Sequence, residues 1–138
     1  MPDLEIRKAE LADVGELAEL NRLLIADERH PNPMTVAELA ERMRTWLGAE
    51  YVGYLGLVAG KVVAYALYRE DGAHHYLRHL YVARQHRRRG VATALLDWLY
   101  ANVWHDKSVR TDVLAHNSGA ITFYKRYGFK TGCPRMEK

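Results

Sequence analysis

The sequence has 138 residues, 49% of them hydrophobic and 27% charged, the profile of one folded domain rather than a disordered or membrane-embedded chain. A lone cysteine, Cys133, excludes an internal disulfide and a Cys-rich zinc module, and no metal is expected. The net charge of +3 hides an asymmetry: residues 1–50 carry −5 and residues 51–138 carry +8. A basic second half suits an anionic partner: a phosphate, a nucleotide cofactor or a nucleic acid. No run of about 18 apolar residues occurs, so no membrane span is expected. The opening Met-Pro-Asp-Leu-Glu lacks the basic-then-apolar pattern of a signal peptide. A cytoplasmic domain covering residues 1–138 is therefore expected.

Leu4–Arg7 alternates and reads as a short strand. Asp13 with Glu16 has capping-box spacing ahead of a helix carrying Val14, Leu17, Ala18, Asn21, Leu24 and Ile25. Pro31-Asn32-Pro33 stops it. Thr35 with Glu38 repeats the capping signal for a second helix with Val36, Leu39, Ala40, Met43 and Leu47 on one stripe, ending at Gly48. The period then changes. Tyr51–Val58, Lys61–Arg69 and His74–Val82 read as three antiparallel strands, separated by Ala59-Gly60 and Asp71-Gly72.

A basic loop, Arg84–Arg89, leads into a helix from about Gly90 to Trp104, apolar on most faces and so deeply packed. Val109–Ala115 reads as a strand. A helix from Asn117 or Ser118 to Gly128 follows, and a last short strand or hairpin begins at Phe129. The strands on either side of the Gly90 helix form a βαβ unit and should be parallel neighbours. The expected fold is α/β (α+β), with a mixed sheet of six or seven strands and about four helices.

The chemistry concentrates where the strand ending at Val82 meets the helix starting at Gly90. A helix start presents unpaired backbone N–H groups and partial positive charge, which suit a phosphate. Gly90 lets it approach closely, Thr93 adds a hydroxyl, and the arginines raise the local potential. Neither a P-loop nor a dinucleotide fingerprint is present. From this segment alone a phosphate site, a nucleic-acid patch and a solvated loop all stay open.

Arg87-Arg88-Arg89-Gly90-Val91-Ala92 resembles the Arg/Gln-x-x-Gly-x-Gly/Ala motif of the GNAT family of N-acetyltransferases. Asn117 to Phe129 is similar to that family's Asn-x-x-Ala-x-x-x-Tyr-x-x-x-Gly-Phe pattern, and the element order matches over nearly the whole chain. The resemblance implies a GNAT domain that takes an acetyl group from acetyl-CoA and gives it directly to a primary amine. It implies that the pantetheine arm lies along Leu80, Tyr81 and Val82. The pyrophosphate would sit on Arg87, Arg88, Arg89, Gly90, Val91, Ala92 and Thr93, with Asn117 and Tyr124 also at the cofactor. A backbone N–H near Tyr81 or Val82, at a strand bulge, would face the oxyanion. Only ten residues follow Gly128, so the last hairpin, which often walls the acceptor pocket in this family, must be short.

Tyr124 matches the family's general acid, since a phenol holds its proton at neutral pH and can give it to a leaving thiolate. It also fits an apolar helix face with Ala120, Ile121 and Tyr127, so core packing is its other reading. Asn117 fits a helix N-cap as well as a cofactor contact. The base has several candidates. His79 directly precedes Leu80-Tyr81-Val82, with cross-strand packing as its other reading, Glu28 lies in the acidic turn after the first helix, and a water chain could replace either. His74 and His75 are further imidazoles. His75 and His79 should share a strand face, about 13 Å apart at ~3.3 Å per residue, too far for a common metal. Cys133 has no evident base beside it.

Asp27 and Glu28 favour a cationic acceptor amine. A nucleic-acid module built on residues 84–89 is the alternative of a different class, though no aromatic is interleaved there. An inactive CoA-binding sensor is a third reading. Helices apolar on most faces would suit a homodimer.

Overall fold

The computed structural model describes residues 3–29, 31–132 and 135–138. Seven strands form one mixed sheet in the order β1-β2-β3-β4-β5-β7-β6. They are β1 (Glu5–Lys8), β2 (Tyr51–Val58), β3 (Lys61–Asp71), β4 (His74–Val82), β5 (Ser108–Asp112), β6 (Lys130–Gly132) and β7 (Arg135–Glu137). The helices are α1 (Val14–Asp27), α2 (Val36–Leu47), α3 (Val91–Asn102) and α4 (Ser118–Tyr127). All pairings are antiparallel except β4 with β5. The expected sheet, parallel pair and four helices are all present.

The sheet separates two cores. One face packs Leu17, Leu24, Met43, Leu55, Tyr65 and Leu67 under α1 and α2. The other packs Ala64, Ala66, Leu77, Leu95, Leu99, Val109 and Phe129 under α3 and α4. Leu95 and Leu99 are wholly buried, and truncating either to Ala would cost about 2–5 kcal/mol.

Local signals set most boundaries. Thr35 Oγ1 accepts from Glu38 N at 3.1 Å while Glu38 Oε1 accepts from Thr35 N at 2.8 Å, the reciprocal box expected for α2. Asp13 behaves differently from its expected pairing with Glu16. Its carboxylate accepts from Glu10 N at 2.8 Å and from Arg7, so the reciprocal cap forms one turn earlier, on a short 3-10 turn over Leu11–Asp13. The ion pair with Arg7 supplied a stronger donor than a second backbone cap would.

One irregularity in β4 has large consequences. Leu67 pairs with His79 but Tyr68 pairs with Leu77, so Arg78 is an extra residue in the ladder. This bulge lies three residues before the position expected at Tyr81. It also overturns the face assignment of the histidines, because one extra residue inverts the alternation of side chains. His75 packs against Tyr68 and Trp104 on the α3 side, whereas His79 packs against Trp46 and Tyr65 on the α2 side.

The predicted hairpin forms as β6 and β7, with Cys133 and Pro134 of its turn outside the described residues. Among the described residues, no helix is long and apolar enough to cross a membrane. No group of three or more His, Cys, Asp or Glu among them is placed to hold a metal ion.

Candidate active site

The parallel pairing of β4 with β5 runs only from His74–Ser108 to Leu77–Thr111. Past Leu77, β4 continues to Val82 on β3 alone, and the edge that faced β5 is left open. The expected strand Val109–Ala115 ends at Asp112 for the same reason: the diverging chain has no partner to pair with. The gap leads into a cleft of about 760 Å³ that passes between the faces of the sheet. Leu24, Asp27 and Glu28 of the α1 end line it on one side; Gly90–Thr93, Asn117, Ala120, Phe123 and Tyr124 line it on the other.

At its basic end the backbone is shaped for an anion. Arg88 has φ +62° and Gly90 has φ +76°, two left-handed residues that turn the chain sharply into α3. Gly90 adopts this freely, whereas Arg88 does so at some strain. Ala94 is the first helical residue whose N–H meets a helix carbonyl, Gly90 O at 2.9 Å. The N–H groups of Val91, Ala92 and Thr93 are therefore the unpaired first turn. Together with the open β4 edge they have the shape to fit a long chain ending in phosphates: an open strand edge can take an extended amide chain by strand addition, and a helix start can take phosphates.

The arginines divide their work. Arg87 forms an ion pair with Asp27, donates from Nε to Val82 O at 2.8 Å, and lies 5.3 Å from the Tyr81 ring. Arg84 reaches the same Asp27 carboxylate at 3.4 Å. Arg88 lines the cleft; Arg89, also expected at the pyrophosphate, is exposed and does not. Asp27, expected with Glu28 to attract a cation, is thus already neutralised by two arginines. His116 Nε2 lies 2.7 Å from Glu28 O, which ties the end of α1 to the loop before α4.

Tyr124 is buried among Phe123, Phe129 and Ala120 yet lines the cleft. Burial pushes its phenol well above the ordinary value; the Thr111 hydroxyl pulls the other way, and the Glu28 charge adds to the rise. The phenol therefore stays protonated at every working pH and is near enough to Glu28 to feel its charge. Its ring packs in the core, as one of the two expected readings has it, and its position is on the cleft wall. Asn117 caps α4, its Oδ1 accepting from Ala120 N at 3.2 Å, and it also lines the cleft.

The histidines are placed elsewhere. His74 lies 2.8 Å from Ser108 Oγ, and His75 lies 2.9 Å from Asp106 Oδ1, both at the opposite end of β4 from the cleft. His79 is not on the cleft wall. Its Nδ1 lies 3.0 Å from Tyr65 Oη, and burial, with Arg78 and Arg42 adding to it, pushes its pKa down to about 3. An imidazole that sheds its proton so readily is a poor base for an ammonium. Of the candidate bases, the structure brings Glu28 to the cleft with Tyr124 and leaves His79 outside. Thr111, Phe123, His86 and His116 were not singled out from sequence; Thr and Phe carry no chemical signature, the two histidines stand beside no other catalytic type, and only the fold assembles them.

Comparison with known proteins agrees with this geometry. The acetyltransferase (GNAT) domain profile matches residues 47–131. An N-alpha-acetyltransferase of Sulfurisphaera tokodaii is 32% identical over 143 aligned positions, covering 93% of this chain and 81% of that protein. Among solved structures, a possible acetyltransferase from Clostridium difficile superposes with a TM-score of 0.79 at 21% identity, covering 94% of this chain and 91% of the other. A predicted acetyltransferase from Clostridium acetobutylicum, solved with acetyl-CoA, has a TM-score of 0.73 at 21% identity, covering 94% and 92%. The chain is thus an acyltransferase and belongs to the GNAT acetyltransferase family.

Proposed function

We propose that this chain transfers an acetyl group from acetyl-CoA directly to the α-amino group of a polypeptide N-terminus. One observation carries the reading: Glu28, Tyr124 and the open edge at Leu80–Val82 line one cleft that begins at the α3 N-terminus. The likeness to the N-alpha-acetyltransferase of Sulfurisphaera tokodaii, 32% identical, supports an α-amine acceptor.

Acetyl-CoA supplies an activated acyl carbon and a thiolate leaving group. The chain's residues do the rest. The β4 edge orients the donor, and the first turn of α3, with Arg88, holds its phosphates. Glu28 takes the proton that makes the ammonium of the acceptor a nucleophile. The amine nitrogen bonds to the acyl carbon as the carbon–sulfur bond breaks, and Tyr124 gives its proton to the departing sulfur. As the amide forms, the nitrogen loses its second proton, which restores the Tyr124 phenol, and the proton held by Glu28 leaves to solvent, so the products are the acetylated amine, the CoA thiol and one proton.

The test is release of the CoA thiol with short peptides as acceptors, for the wild type and for Glu28→Gln. The expected result is peptide-dependent thiol release that falls about 100-fold in the variant, with acetyl-CoA affinity retained. Acetyl-CoA binding without turnover on any peptide would overturn the acceptor assignment. Unchanged kcat in Glu28→Gln, with chemistry rate-limiting, would overturn the base.

A further inference from the structure

The α1–α2 face holds two arginines that the transfer chemistry does not use. Arg42 of α2 lies 4.3 Å from the centre of the Trp46 ring, and Arg78, the extra residue of the β4 bulge, lies 4.6 Å from the same ring. Arg78 Nη1 donates to Tyr51 Oη at 3.2 Å, and Arg42 Nη2 donates to Asn21 Oδ1 at 3.2 Å. Both partners are neutral. Among the described residues, neither guanidinium has a carboxylate in ion-pair range, whereas Arg7, Arg84, Arg87, Arg110 and Arg135 each do. Two like charges on one ring repel, and Arg78 with burial holds the Arg42 guanidinium below its usual pKa.

Donors at this place also lack acceptors. Arg42 Nε and Asn21 Nδ2 are buried with no hydrogen-bond partner among the described residues, and Asn21 is only 1% exposed. Buried donors and like charges together call for an anionic acceptor of hydrogen bonds.

The cluster lies outside the cleft lining, next to His79 and Trp46, and two elements connect it to the cleft. Asn21, Leu24 and Glu28 stand at i, i+3 and i+7 on α1, so they share one face of the helix. Leu24 and Glu28 line the cleft. Asn21 is about 10 Å from Glu28 along the axis at 1.5 Å per residue. Arg78 stands two residues before Leu80 of the cleft wall, about 7 Å along the strand. The donor's phosphates belong to the other face, at the start of α3, which leaves this face for the acceptor.

We propose that Arg42 and Arg78 read a carboxylate on the acceptor, so that the preferred substrate is a polypeptide N-terminus with an acidic side chain in its first two positions. This deepens the α-amine reading above and rests on it for the peptide.

The experiment compares kcat/KM for two peptides that differ only by Glu or Gln at the second position, then repeats it with Asp or Asn at the first. The wild type should favour the acidic peptide of at least one pair by about tenfold or more. In Arg78→Gln, and in Arg42→Gln with Arg78→Gln, that ratio should collapse toward one. A wild-type ratio near one for both pairs, or a ratio that survives in the double variant, would overturn the proposal. The wild-type comparison stands even where a variant does not fold. Free glutamate and aspartate, with glutamine and asparagine as controls, separate the two readings. Arginine-dependent acetylation of the free acids but of no peptide removes the peptide and keeps the carboxylate site. Acetylation of neutral or cationic amines alone removes the carboxylate site and leaves the transferase.

Discussion

The two sides of the cleft are built by different means. On the α3–α4 side the features proposed to bind are backbone: an open strand edge, two left-handed residues and an uncapped helix start. On the α1–α2 side they are side chains: Glu28, the Asp27–Arg87 pair, and the Arg42–Trp46–Arg78 cluster. Backbone sites tolerate change in side-chain identity and require a particular chain path. Side-chain sites tolerate neither exchange of charge nor loss of position. A shared donor can therefore be held by a short recurrent motif, while the acceptor is chosen by residues without one.

The sharpest way to break the contrast is to block the backbone side. Gly90→Glu places a side chain on a φ of +76° and a negative charge where phosphates bind. Acetyl-CoA affinity should fall by about 100-fold, close to 3 kcal/mol, in a calorimetric titration. Retained affinity would put the phosphates elsewhere.

Next is the residue where the two sides meet. Tyr124→Phe keeps the buried ring and removes only the hydroxyl. Here kcat should drop about 100-fold while acetyl-CoA binding is unchanged. A parallel loss of binding would mean that the hydroxyl holds the donor rather than protonating its sulfur.

Asn117→Ala probes a residue with two duties. The cap on Ala120 N should cost about 1 kcal/mol of stability, a lowering of Tm by a few degrees in a thermal melt. If acetyl-CoA affinity also falls, Asn117 contacts the donor as well; if only Tm falls, it is a cap.

The effect confined to acid pH is on stability. His79 titrates near 6.5 in the unfolded chain and is pushed down to about 3 in the folded protein, chiefly by burial. The unfolded state then binds the extra proton between those values. This group's contribution is complete above about pH 6.5 and is lost progressively as pH falls toward 3. His79→Gln should flatten that part of a Tm-against-pH curve; an identical slope would place the acid sensitivity on other groups.

Much of the fold was legible because its signals are local. The Asp71-Gly72 turn, the Thr35–Glu38 box and the left-handed Gly128 after α4 act within a few residues, and the elements they bound lie close to where periodicity put them. The donor side was legible for the same reason: strand, basic turn, Gly90 and helix follow one another in a single segment. The acceptor side was not. The expected attraction of a cation to Asp27 failed to foresee Arg87, sixty residues away, taking that carboxylate. The expected role for His79 could not anticipate Tyr65 and the covering of α2.

By itself the sequence determined the order of elements, the basic turn into α3 and the place of Tyr124 on α4, since each depends on neighbours in the chain. Only the tertiary structure decided where β4 gains its extra residue, and so which face each histidine and Arg78 occupy. A bulge arises when two strands of unequal path are laid side by side. Its position is a property of the pair, invisible in either strand alone.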